Sequence, residues 1–253
     1  MLRQAIKSGR LTLGSWITIG HASIAEILAK AGFDWVVVDL EHSVIPIDVA
    51  GELIRTIDLC GISPLVRLTS NDPDQIKRVM DAGAHGIVVP MVNTPEEAER
   101  AVRATRYAPQ GTRGVGLARA QGYGPGFKKY FEWQAEGPVV IVQIEHVDAV
   151  RRLSEILVVP GVDGFILGPY DLSCSMGRPG QFESPEYLGT LESVLATGKR
   201  LRVPSGLHIV EPDIGQLHAA IRAGYTFIAY SVDMRMLDVA ARQAIRAVRG
   251  EAE

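Results

Sequence analysis

Residues 29–39 read AKAGFDWVVVD: a helix tail, a glycine, then an unbroken apolar run. Gly32 suits the left-handed turn that commonly closes a helix. The run after it is too short for a helix and lacks polar alternation, so it predicts a parallel strand covered on both faces. The same plan returns in MDAGAHGIVVP (80–90) and IRAGYTFIAYS (221–231), and its second half in PGVDGFILGPYD (160–171). Repetition of this kind points to one helix–strand unit used many times.

Working outward, eight such runs predict strands at 11–19, 34–40, 64–69, 85–92, 138–145, 163–170, 201–208 and 226–232. Segments 23–32, 49–60, 73–83, 94–106 and 148–157 carry apolar residues three and four apart, the spacing of amphipathic helices. Thr94-Pro95 followed by Glu96 and Glu97 makes a good helix start, with threonine as cap and proline in the first turn. Eight alternating units predict an α/β chain folded as a (β/α)8 TIM barrel rather than an open sheet. The 253 residues match the about 250 such a barrel needs, and residues 1–253 are read as one domain.

Segment 107–137, rich in glycine and aromatics, breaks the rhythm and exceeds an ordinary connection. Its aromatics argue against disorder, so an ordered flap or a subunit-contact segment is expected.

Composition excludes several classes. Net charge is -3, and Lys128-Lys129 and Arg151-Arg152 are isolated pairs, so no nucleic-acid partner is expected. No apolar stretch approaches the 18 residues of a membrane span and the N-terminus lacks an apolar leader, which predicts no membrane partner and a cytoplasmic protein. Cys60 and Cys174 cannot build a disulfide framework or a structural zinc site by themselves.

In a barrel of this kind chemistry sits at the carboxyl ends of the strands. The second run ends in Asp39-Leu40-Glu41-His42, the third carries Arg67, and the fifth ends in Gln143-Ile144-Glu145-His146. The sixth ends in Gly168-Pro169-Tyr170-Asp171, the seventh in His208, and the first carries Trp16. Singly, each has an ordinary structural role: Asp171 as a helix cap, Glu145 in an ion pair, His208 as a core histidine, Arg67 snorkelling from a buried stem. Together on one rim they read as a site. No lysine falls at a predicted strand end, so a Schiff-base nucleophile is not on offer. An enolate would need another cation, and two acids on adjacent strands suit Mg²⁺ or a similar hard divalent ion.

These residues sit in blocks that resemble the HpcH/HpaI class II aldolases: GSW (14–16), AGFDWVVVDLEH (31–42), PLVRLTSND (64–72), DAGAHGIVVPMV (81–92), RGVG (113–116), VQIE (142–145) and GVDGFILGPYDLSCSMG (161–177). The resemblance runs from about residue 10 to 245 and implies a pyruvate-kinase-like barrel. It implies Glu145 and Asp171 as ligands of a divalent metal ion (Mg²⁺, Mn²⁺ or Co²⁺), His42 as general base, and Asp39 orienting the His42 imidazole. By the same resemblance Arg67 and Gln143 hold a 2-oxo acid, Trp16 forms part of the pocket wall facing the aldehyde, and Tyr170 and Leu172 bind substrate. Asp81 is expected to reach a neighbouring subunit's His–Asp pair.

The implied reaction cleaves a 4-hydroxy-2-oxo acid to pyruvate, or a related 2-oxo acid, and an aldehyde. The implied assembly is a homo-oligomer, a hexamer with exchanged C-terminal helices, and helix 237–250 is amphipathic. Two departures bear on specificity: Tyr170 where relatives often have a small residue, and His146 where they have threonine. Other readings are an acyl-CoA lyase or a citrate-forming synthase on the same scaffold, or a metabolite-binding barrel without catalysis.

Overall fold

The eight runs are strands: β1 (Thr12–Ile17), β2 (Trp35–Asp39), β3 (Ser63–Arg67), β4 (Gly86–Val89), β5 (Val139–Ile144), β6 (Gly164–Leu167), β7 (Ser205–Ile209) and β8 (Phe227–Val232). Each pairs in parallel with the next, and β1 closes onto β8, making a closed barrel in this computed structural model, which describes residues 2–249. The intervening helices are α1 (Leu2–Lys7), α2 (Ala22–Lys30), α3 (Ile47–Leu59), α4 (Pro73–Asp81), α5 (Pro95–Ala104), α6 (Phe127–Gln134), α7 (Val147–Arg151), α8 (Leu153–Leu157), α9 (Pro169–Ser175), α10 (Pro185–Leu201), α11 (Ile214–Ala223) and α12 (Asp233–Arg249). None is long and apolar enough to cross a membrane.

Strand alternation splits the apolar residues into two layers. Val36 and Val38 point outward into the core under the helices, whereas Trp35 and Val37 fill the barrel with Leu65, Ile141, Ile166 and Phe227. Trp35 stacks on Phe227 with ring centroids 4.1 Å apart. That indole crosses β1 at Gly14, where an added Cβ would overlap the ring, so the glycine of GSW is required by close approach. Helix α1 sends Leu2 and Ile6 into the same inner cluster, and Arg3 pairs with buried Asp163 at 2.8 Å.

Several boundaries differ from expectation, two of them for a plain reason. Helix α10 runs through Leu201, so β7 begins at Ser205 rather than residue 201. Strand β6 stops at Leu167, since Pro169 already starts α9.

Segment 107–137 is ordered, with a short 3-10 turn (Arg119–Gln121) followed by α6. It is not a flap over the strands' carboxyl ends: Arg119 pairs with Asp58 and Arg113 with Asp81, at the closing ends of α3 and α4. The segment therefore covers the opposite end of the barrel. In the expected C-terminal helix, Gly250 lies outside the described residues.

Candidate active site

The strands' carboxyl ends surround a cavity of about 310 Å³. Trp16, Asp39, His42, Arg67, Gln143, Tyr170 and Asp171 all line it, as does His208. The size fits a small organic acid.

Arg67 is the hub. Its Nε and Nη2 donate to Asp39 at 2.8 and 2.7 Å, a two-pronged grip, and its Nη1 lies 3.2 Å from Glu41. The guanidinium also sits 4.4 Å from the centroid of the Trp16 ring. Asp39 accepts two further bonds from the backbone N–H groups of Glu41 and His42, at 3.0 and 3.3 Å.

Asp39 is thus committed to Arg67 and the main chain, and the bond expected from Asp39 to the His42 imidazole is not made. The exposed imidazole instead stands 3.8 Å from Glu41. Glu41 is a site residue that sequence reasoning passed over, since nothing in DLEH separates it from its neighbours. Its carboxyl is pushed up to about 7: burial raises it most, Arg67 opposes that, and the charges on Glu145, Asp39 and Asp171 add to the rise.

Glu145 lies just behind the wall, almost fully buried. One of its oxygens accepts from the Met91 N–H at 2.6 Å, and the other from the Gln143 amide. Met91 adopts φ 51°, a left-handed conformation costly for a residue with a side chain, and it turns this N–H onto the carboxylate. Burial raises the Glu145 carboxyl, its hydrogen bonds oppose that, and the charge on Asp171 adds to the rise.

Asp171 stands exposed in the first turn of α9, whose N-cap is Gly168 rather than the aspartate. Gly168 has an ordinary φ of −99°, but a Cβ there would meet the Glu145 Oε2 at 2.5 Å and the Glu145 Cβ at 2.8 Å. The glycine of GPYD is therefore room for a carboxylate. Gly168→Ala is expected to displace Glu145 and to destabilise the fold by about 1–3 kcal/mol, as overpacking does. Denaturant melts together with a lyase assay check this, and an unchanged variant on both would remove Glu145 from the site.

Two predicted residues lie elsewhere. Leu172 is fully buried in the core beneath the helices, and its N–H donates to Gly168 O, so it lines no pocket. The side chain turns inward because α9 starts at Pro169 and rotates position 172 toward the barrel. Asp81 sits at the far end of the barrel, held by Arg113, and meets none of this chain's own mouth residues. His146 caps α7, its Nδ1 accepting from Asp148 N at 3.1 Å, the task a threonine would perform there. Tyr170 is exposed and stands edge-on to Phe182, with centroids 5.0 Å apart.

His208 faces the cavity from β7. Desolvation, reinforced by the charge on Arg67, holds its imidazole down to about 4, so the ring is neutral at physiological pH. Among the described residues its Nε2 has no partner, and neither have Trp16 Nε1 and Gln143 Oε1.

Among the described residues no group of three His, Cys, Asp or Glu side chains could hold a metal by itself. The chemistry of the mouth still suits a hard cation. Glu41 feels the charges of Glu145, Asp39 and Asp171, and Glu145 that of Asp171, with Arg67 as the counter-charge to both; both are pushed toward protonation. A dication bound partly by water and substrate oxygens needs only one or two protein carboxylates.

Known proteins resemble this chain over nearly its whole length. The family model described as HpcH/HpaI aldolase/citrate lyase matches residues 12–239. A hydroxypyruvate/pyruvate aldolase of Sagittula stellata is 38% identical over 240 residues, 94% of each chain. A 4-hydroxy-2-oxo-heptane-1,7-dioate aldolase of Escherichia coli is 37% identical over 241 residues, 94% of this chain and 91% of the relative. Among solved structures, an HpcH/HpaI aldolase/citrate lyase family protein from Burkholderia cenocepacia J2315 superposes with a TM-score of 0.92 at 34% identity, over 98% of both chains.

Proposed function

Because the chain belongs to the HpcH/HpaI aldolase/citrate lyase family, we propose that it is a carbon–carbon lyase cleaving a 4-hydroxy-2-oxo acid to pyruvate and an aldehyde. The observation that carries this reading is the mouth itself: one guanidinium among four interacting carboxylates, in a cavity sized for a small acid. The barrel as a whole would act as one catalytic domain.

Glu145 and Asp171, with water and the 2-oxo acid, would hold a divalent ion of the Mg²⁺, Mn²⁺ or Co²⁺ type. Such an ion polarises the ketone and stabilises the enolate left when the C3–C4 bond breaks. Arg67 keeps its positive charge beside that enolate, fixed in place by Asp39. The Gln143 amide fixes the Glu145 carboxylate through its N–H, and its free Oε1 is available to an N–H or O–H donor, such as bound water. His42 is exposed at the mouth, with room to take the proton from the C4 hydroxyl of a bound substrate and to return one to the released enolate. Glu41 stands 3.8 Å from the His42 Nε2, beside the path of that proton.

His42→Ala is expected to lower kcat by about 10²–10⁴, the usual worth of a general base. Its side chain is 64% exposed, so the circular dichroism spectrum and denaturation midpoint should not move. Pyruvate release from hydroxy-oxo acids, followed with a coupled dehydrogenase, reads the rate; undiminished turnover would take the base role from His42.

Assembly is part of the proposal. Helix α12 carries Leu237, Ile245 and Val248 exposed, and Asp81 meets no residue of its own mouth, as expected if copies of the chain complete one another in a homo-oligomer.

A further inference from the structure

The stretch of cavity wall contributed by β7, β8 and β1 carries Val210, Val232 and Met234, with three polar side chains among them. One is satisfied: Thr18 Oγ1 donates to Asp233 at 2.7 Å. The other two are His208 and Trp16, whose rings lie 5.3 Å apart at 44°. Each has a nitrogen with no partner, Nε2 in His208 and Nε1 in Trp16. Buried polar atoms are nearly always paired, so two orphans in adjacent rings beside one cavity call for a reason.

The two atoms are complementary. An indole N–H can only donate. The His208 ring is neutral and interacts with the Ser231 backbone, which leaves Nε2 as a lone pair that can only accept. A donor and an acceptor on neighbouring rings suit a small group that does both, such as a hydroxyl. A carboxylate would present lone pairs to a lone pair, and a methyl would leave both nitrogens unpaired.

We propose that His208 and Trp16 together read a hydroxyl on the aldehyde half of the substrate, the hydroxyl donating to His208 Nε2 and accepting from Trp16 Nε1–H. This rests on the aldolase reading above and makes hydroxy-aldehydes the preferred carbon acceptors over alkyl or carboxylate-bearing ones. The aldehyde half is assigned because the carboxylates and amide that would hold the 2-oxo acid lie at the ends of β5 and β6, while this pair extends the cavity toward β7 and β1. Both nitrogens are sealed from water, so the pairing requires the rings to part and admit the oxygen.

Aldol addition of pyruvate in the presence of Mg²⁺ to glycolaldehyde and to propanal tests the pairing. These aldehydes are close in size and differ by a hydroxyl in place of a methyl. The readout is the kcat/KM ratio of glycolaldehyde to propanal within each protein, so a general loss of rate drops out. Intrinsic reactivity of the two aldehydes drops out between proteins.

The wild-type ratio is expected to exceed that of His208→Leu by at least about tenfold, as for a site built to bond a substrate hydroxyl. His208→Gln, whose side-chain carbonyl also accepts, should recover part of the preference. Trp16→Phe, which removes the indole donor alone, should lower the same ratio even if His208→Leu fails to fold. Equal ratios in the wild type and in these variants overturn the inference. A separate control follows exchange of the pyruvate methyl protons with solvent, which needs no acceptor. If the wild type lacks that exchange, the aldolase reading falls and this inference with it; if exchange proceeds and the ratios are equal, only this inference falls.

Discussion

Arg67→Ala is expected to lose turnover and stability together. The guanidinium binds both oxygens of Asp39 and lies beside Glu41, and among the described residues no other arginine or lysine lines the cavity. Removing it withdraws a fixed charge from the position where an enolate would form, a loss of about 10²–10³ in kcat by comparison with single preorganised donors.

It also leaves Asp39, almost fully buried, with only backbone N–H partners. Stability should therefore fall by about 3 kcal/mol, the low end for breaking a buried pair, because those N–H bonds remain. Arg67→Lys keeps the charge without the fork and should recover part of the stability and less of the rate. The Glu41 carboxyl, which Arg67 holds down, should titrate higher in Arg67→Ala. Pyruvate-release kinetics and urea denaturation read the two effects apart. Full turnover in Arg67→Ala would show that the positive charge takes no part.

Much of this mouth was legible in the sequence, for a definite reason. Parallel strands buried on both faces read as short apolar runs, and a barrel directs whatever follows each run to one rim. Trp16, Asp39, Arg67, Gln143 and Asp171 were found in that way. Partnership was not legible. Position in the chain brings Asp39 and His42 close together, but the choice of Arg67 as the partner of Asp39 belongs to the register that sets Asp39 opposite Arg67 across β2 and β3.

Backbone conformation was equally hidden. Nothing in VVPMV announces that Met91 turns its N–H onto Glu145. Helix α10 escaped notice because Gly198 weakens its helical pattern. A Cβ at Gly198 would stand 2.5 Å from the Ser205 hydroxyl and 2.9 Å from the Phe165 ring, so close packing on the barrel forbids the better helix former. In the same way Gly14 and Gly168, which look like flexible points in a sequence, are sites of close approach by Trp35 and Glu145.

Chelation carries the second large expected effect. Burial pushes Glu41 and Glu145 toward protonation, and the charge on Asp171 at both, with those on Glu145 and Asp39 at Glu41, adds repulsion. A dication would relieve that repulsion and add to the electrostatic stabilisation that Arg67 supplies. Protein treated with excess EDTA should therefore lose pyruvate release by at least about two orders of magnitude, and Mg²⁺, Mn²⁺ or Co²⁺ in excess of the chelator should restore it.

Stability gives a readout independent of turnover. A ligand that binds only the folded chain raises the denaturation midpoint by mass action, by about 2.7 kcal/mol at a hundred times its Kd. Glu145→Gln keeps the shape of the side chain and can still bond Gln143, yet removes the charge, so it should abolish the metal-induced shift. Asp171→Asn should reduce the shift with little effect on the metal-free protein, because Asp171 is exposed. Undiminished activity in excess EDTA, or a metal shift that survives Glu145→Gln, would place the positive charge of this reaction elsewhere than between those two carboxylates.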